Sequence, residues 1–151
     1  MSEITKIMCR KNFLPLALLA GTLGACGANS DNPDPGEVAV FDAIGMDEGI
    51  TALGTEPFWN ARIEGTTLAY STPEDLDGTL VTIERFAGNG GLGISGELDG
   101  SPLQLAITPG QCSDGMSDRI YPYTATLSLG GENLLGCAYT DTQGFSGEEN
   151  P

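Results

Sequence analysis

From Thr55 onward, hydrophobic and polar residues alternate. In FWNARIE, Trp59, Ala61 and Ile63 share one face while Asn60, Arg62 and Glu64 share the other. A two-residue period is the mark of a strand with one buried face. The same period returns in TLAYS (Leu68, Tyr70), LVTIER (Val81, Ile83), LGIS (Leu92, Ile94) and LQLAI (Leu103, Leu105, Ile107). YTATLSL sets Tyr123, Ala125, Leu127 and Leu129 against Thr124, Thr126 and Ser128, and NLLGCAYT closes the series with Leu135, Cys137 and Tyr139. Arg85 breaks the pattern. It continues the inward phase of Val81 and Ile83, so a bulge, a buried ion pair or the strand's end must accommodate it.

Turn chemistry separates these runs: EGT, DLDGT, GNGG, LDGS, TPGQ and LGGEN. Short strands with Gly-rich turns and no helical period predict an all-β domain, a small antiparallel β-barrel or sandwich of roughly seven to eight strands. VAVFDAIGMDEGI, ahead of the alternation, reads as a short strand or an irregular lead-in. The domain is expected over residues 38–142, with a disordered tail at 143–151. No internal repeat or second domain is visible.

The N-terminus follows another logic. Lys6, Arg10 and Lys11 precede the apolar run FLPLALLAGTLGA, which is short of the ~20 residues of a membrane span. Basic, then apolar, then small is the secretory pattern. The run ends in LGAC, Leu23 to Cys26, which resembles a bacterial lipobox. That resemblance implies a signal peptide at 1–25, cleaved before Cys26, and lipidation of Cys26 as the new first residue. Gly27 stands where aspartate would signal inner-membrane retention, so an outer-membrane, periplasm-facing address is expected. GANSDNPDPGE then reads as a flexible tether, so that the lipidated cysteine and tether span 26–37.

Loss of residues 1–25 sharpens the charge. Glu3 and three of the six basic residues leave, so three arginines (Arg62, Arg85, Arg119) face twenty carboxylates, a formal charge of −17 in place of −15. Such a field disfavours nucleic acid and anionic head groups and favours cationic partners. It also serves solubility. Cysteine usage agrees with export: Cys9 leaves, Cys26 takes lipid, and Cys112 and Cys137 remain as a pair that an oxidising compartment joins. Two thiolates without histidine fall short of a zinc site, and their spacing excludes a CxxC redox centre.

Two segments are richer than strand and turn require: GTEPFW, Gly54 to Trp59, and CSDGMSDRIYPY, Cys112 to Tyr123, with its partner Gly136–Cys137. Together they resemble an uncharacterised family of small bacterial envelope lipoproteins with a G-T-E-P-F-W start, a C-S-D-G-M-S-D-x-x-Y-P-Y loop and a G-C strand. The resemblance spans roughly residues 51–140. It implies an envelope lipoprotein and carries over no enzymatic activity, ligand or cofactor.

Physically, CSDGMSDRIYPY starts at a disulfide, turns at Asp114-Gly115, caps itself with Ser113, Asp114, Ser117 and Asp118, and is extended by Tyr121-Pro122. That is a complete structural account. A functional one would pair Arg119 with Glu56 or Asp118 and lay Trp59 beside Tyr121 or Tyr123 as an aromatic floor. The alternation of Trp59 with Ala61 and Ile63 argues instead for a core tryptophan.

Catalysis has thin support. Without histidine or lysine in the mature chain it would rest on carboxylates, and Glu56 with Asp114 or Asp118 is the pair for a hydrolase acting on envelope glycans. Calcium could find oxygen ligands in Asp114, Asp118 and Glu56, yet the spacing is not that of an EF-hand. The expectation is therefore a monomeric, non-catalytic binding module without cofactor, tied to the membrane by its lipid and open to a cationic protein partner. An inhibitor of a cationic envelope-attacking enzyme such as lysozyme is the sharper alternative; it would need Arg62, Arg85 or Arg119 to enter the enzyme's acidic cleft.

Overall fold

Eight strands hydrogen-bond in chain order, each antiparallel to the next, and β8 returns to β1 to close a barrel. They are β1 (Ile50–Thr55), β2 (Phe58–Glu64), β3 (Thr67–Thr72), β4 (Asp75–Ala87), β5 (Leu92–Leu98), β6 (Ser101–Ser113), β7 (Ile120–Leu129) and β8 (Glu132–Thr140). The structure is a computed structural model that describes residues 39–147. The signal peptide, Cys26 and the tether expected from the sequence, and residues 148–151, lie outside the described residues.

The up-and-down order gives the barrel two unlike ends. The connections 56–57, 73–74, 99–100 and 130–131 lie together at what we call the turn end. Asp99 and Gly100, and Gly130 and Gly131, take positive φ (51°, 80°, 60° and 89°), as two-residue hairpin turns require. The chain enters and leaves at the other end, the entry end, with the 65–66, 88–91 and 114–119 connections.

The alternation set the core. Trp59, Ala61, Ile63, Leu68, Val81, Ile83, Leu92, Ile94, Leu103, Leu105, Ile107, Tyr123, Ala125 and Leu127 are all buried, and with only eight strands such side chains fill the interior. One strand went unseen in the sequence. β1, ITALGT, starts at Ile50 and turns Ile50, Ala52 and Gly54 inward, but its small residues weaken the hydrophobic period. Two segments expected as turns are strand irregularities instead: TPGQ is a bulge within β6, and DLDGT opens β4 where its register with β3 shifts.

β8 corrects the phase expected for NLLGCAYT. Leu135 is 71% exposed, and the inward positions are Gly136, Ala138 and Thr140. The reason is close packing between β8, β1 and Trp59. An added Cβ on Gly54 would lie 2.0 Å from the indole Nε1, and one on Gly136 would lie 2.1 Å from the Leu53 carbonyl oxygen and 2.9 Å from the indole. Gly54 makes room for the buried tryptophan and Gly136 for the close approach of the Leu53 backbone beside it, so the phase that sets Gly136 inward cannot also present leucine and tyrosine there.

Arg85 is accommodated at the strand's end. Its guanidinium donates to the Glu48 and Gly45 carbonyls at 3.0 and 3.1 Å, tying the lead-in across the entry end, where Ile44 joins the core. Burial lowers the Arg85 pKa, opposed by Asp47 and Glu48. The Glu48 carboxylate accepts from Gly45 N and from the backbone and hydroxyl of Thr142. Arg62 clasps Asp141 with both Nη atoms at 3.0 and 3.3 Å and reaches Glu64 at 3.1 Å. Residues 143–147, expected to be disordered, belong to the fold: Gln143 donates to the Ala43 carbonyl, and Ser146 bridges Ile120.

Candidate functional site

The 112–121 segment is organised by one carboxylate. Asp114 Oδ1 accepts the Met116 and Ser117 amides, both at 2.9 Å; Oδ2 accepts the Ser117 hydroxyl at 2.8 Å and the Tyr121 hydroxyl at 3.1 Å. Ser117 Oγ in turn accepts the Arg119 amide, and Ser113 Oγ accepts the Gly115 amide. Gly115 has φ 70°, which a side chain at this turn would oppose. Partial burial raises the Asp114 pKa, but four donors outweigh it and hold the group down at about 2.

A disulfide between Cys112 and Cys137, with Cα atoms 5.5 Å apart, fastens this segment to β8. Cys137 shares the outward phase of Leu135 and yet is buried, because the β6–β7 hairpin, bent at the β6 bulge, lies against it. Beyond it an aromatic cluster pins the hairpin. The Tyr121 ring lies 5.4 Å from Phe145 and 6.1 Å from Tyr139, and Tyr139 meets Phe145 edge-on at 5.3 Å. The Arg119 guanidinium stacks 4.4 Å over Phe145. A groove of about 310 Å³ remains between the hairpin edge at Cys112–Asp114 and the outer faces of β1, β7 and β8, with Leu53, Thr55, Thr126 and Leu135 in its walls.

The residues singled out in the sequence thus divide into two groups. Asp114, Ser117, Arg119 and Tyr121 come together with the disulfide, and of the expected caps Ser113, Asp114 and Ser117 accept backbone amides of the loop. Glu56 is exposed in the β1–β2 connection at the turn end, next to Thr55, which shares a groove wall with Cys112–Asp114. The structure brings Glu56 to neither Arg119 nor Asp118, and Asp118 is itself exposed in the loop. Trp59 is 3% exposed and belongs to the core, so it forms no floor with Tyr121.

The chemistry available follows from this. Two-carboxylate hydrolysis pairs a carboxyl that holds a proton near neutral pH with one that stays ionised, and Asp114, its oxygens taken up by four donors, suits only the ionised member. Among the described residues no group of three or more Cys, Asp, Glu or His is placed to hold a metal ion. Glu48, Asp141 and Phe145 were missed by sequence reasoning, since each works through a partner more than fifty positions away or beyond the expected domain boundary. Their residue types carry no local signal. No protein-family model, curated protein or solved structure matches the chain.

Proposed function

We propose that this chain is a non-catalytic binding module of the bacterial cell envelope, lipidated at Cys26, held at the outer membrane facing the periplasm, whose partner is a cationic protein. The membrane part rests on the lipobox-like LGAC and on the resemblance to envelope lipoproteins. The binding part rests on one observation: of the three arginines of the described residues, Arg62 and Arg85 work at the entry end and Arg119 works within the hairpin that lies against β8. Arg62 clasps Asp141, Arg85 holds the lead-in, and Arg119 stacks on Phe145. The turn end has no arginine, while Glu56, Glu74, Asp75, Asp77, Asp99 and Glu132 stand at its connections and strand starts. The entry end is acidic too, through Asp42, Asp47, Glu48, Glu64 and Asp141, but its arginines offset part of that charge. The turn end is therefore the less compensated of the two and attracts a cationic surface more strongly.

The engagement of the arginines also weighs against plugging an acidic enzyme cleft with one of them. Titrating the soluble domain against lysozyme, as a compact cationic protein, tests the reading. Binding that persists at physiological salt, with lytic activity unchanged by saturating domain, is the expected result. Binding confined to low salt would reduce the acidity to a nonspecific field, and lost lysis that Arg119→Ala restores would favour inhibition.

A further inference from the structure

At the turn end the outer faces of β2 and β3 hold a groove of about 290 Å³, lined by Phe58, Asn60, Ser71, Thr72, Pro73 and Leu76. Phe58 is 51% exposed and Leu76 is 84% exposed. Single exposed apolar residues are ordinary, but these two flank one groove, and Leu80, 73% exposed, follows Leu76 along β4.

The backbone fixes Leu76 outward. Between Tyr70↔Thr79 and Thr72↔Asp75 the register shifts, so β4 spends more residues than β3 over the same rise. Asp75 stabilises the excursion by accepting the Gly78 amide at 3.1 Å and the Thr79 hydroxyl at 3.3 Å. Gly78 closes it at φ 76°. The exposed leucine thus shares the outward phase of Leu80 and sits on a capped bulge, not on a frayed strand.

Charge selects the occupant. Glu56, two residues before Phe58, and Glu74, Asp75 and Asp77, around Leu76, are all exposed. An apolar groove rimmed by carboxylates repels anionic lipid and nucleic acid. A second copy placed by two-fold symmetry would set the same carboxylates against each other. We infer that this groove docks a cationic amphipathic segment of a protein partner, its apolar side chains against Phe58 and Leu76 and its lysines or arginines against Glu56, Glu74 and Asp77. The inference rests on the binding-module reading above and assigns its surface.

The probe is a fluorescent synthetic helix with one leucine face and one lysine face, titrated at physiological salt against the full soluble domain. Leu76→Ser, on an outward position, should weaken binding about tenfold, the loss expected when one apolar side chain no longer becomes buried. Glu56→Gln/Glu74→Gln/Asp77→Asn should weaken it by a similar factor. Asp42→Asn/Asp47→Asn/Asp118→Asn, an equal charge change away from the groove, should leave it within about twofold, because screening at physiological salt confines the effect to nearby charges. Circular dichroism verifies that each variant is folded. Equal losses from the two triple variants, or native affinity in Leu76→Ser, would overturn the groove, as would tighter binding to phosphatidylglycerol vesicles or a dimer in sedimentation that Leu76→Ser abolishes. If lysozyme and the helix both bind and neither responds to the turn-end variants, the groove fails and the binding-module reading stands. If neither binds at physiological salt, both fail.

Discussion

Gly54→Ala should be a far more damaging change than its single methyl suggests. The new Cβ would fall 2.0 Å from Trp59 Nε1 and 2.6 Å from Cδ1, inside a closed barrel where the indole has nowhere to go. Overpacking of this kind costs about 1–3 kcal/mol, which for a domain of this size lowers Tm by roughly 5–20 °C. Gly136→Ala should cost as much or more, but for a different reason. Its first contact is the Leu53 carbonyl oxygen at 2.1 Å, which is backbone, so β8 and β1 must separate. Trp59→Phe tells the two apart. It shortens the ring system that Gly54→Ala strikes and leaves the Leu53 carbonyl where it was. In urea denaturation followed by circular dichroism, the Gly54→Ala penalty should shrink by at least about 1 kcal/mol in the Trp59→Phe background, a coupling of the size contacting residues show. The Gly136→Ala penalty should persist. If Gly54→Ala costs the same with tryptophan or phenylalanine at 59, the indole is not what Gly54 accommodates, and the account of the inward face of β1 is wrong.

Three further outcomes are expected. Reducing Cys112–Cys137, which encloses a separation of 25 residues, should remove about 3 kcal/mol in the chain-entropy model; a melting temperature indifferent to reductant would mean that the hairpin is held by its aromatic cluster alone. Glu48 has its pKa raised by burial but more strongly lowered by donors from Thr140, Thr142 and Gly45, to about 2 from 4.5. Because the folded value is the lower one, its contribution is complete above about 4.5 and disappears as pH falls toward 2. The stability gap between the native chain and Glu48→Gln should therefore close over that interval, and a constant gap would refute it. Labelled palmitate should enter the native chain and not Cys26→Ser; equal incorporation would remove the lipoprotein assignment.

The barrel was legible because its strands carry large alternating side chains: the Trp59, Leu103–Ile107 and Tyr123–Leu127 faces could point only one way. β1 was not, since Ala52 and Gly54 are inward positions chosen for smallness, and smallness has no period. The same physics hid the phase of β8. There the visible hydrophobic set, Leu135, Cys137 and Tyr139, lies outside, and the hairpin that covers Cys137 arrives from a different part of the chain. Asp114 was legible as a cap because its partners lie within seven residues. Glu56 looked like a companion to that loop because both belong to distinctive motifs, but the motifs are distinctive for separate reasons. GTEPFW and Gly136–Cys137 share the packing of Trp59, whereas CSDGMSDRIYPY is a capped and disulfide-tied hairpin.

With the interior filled around Trp59, the binding proposed above falls to the outer surface, and the placement of Arg62 and Arg85 favours the turn end for it. Each strand of six or seven residues spans roughly 20 Å, more than twice the ~8 Å Debye length at physiological salt. A partner at the turn end therefore meets Glu56, Glu74, Asp75 and Asp77 almost unrelieved by Arg62 and Arg85, which are engaged at the entry end. The net charge of the chain is then a poor guide to its binding. What should govern the salt dependence is the small set of carboxylates within a Debye length of Phe58 and Leu76, and removing distant ones should change solubility more than affinity.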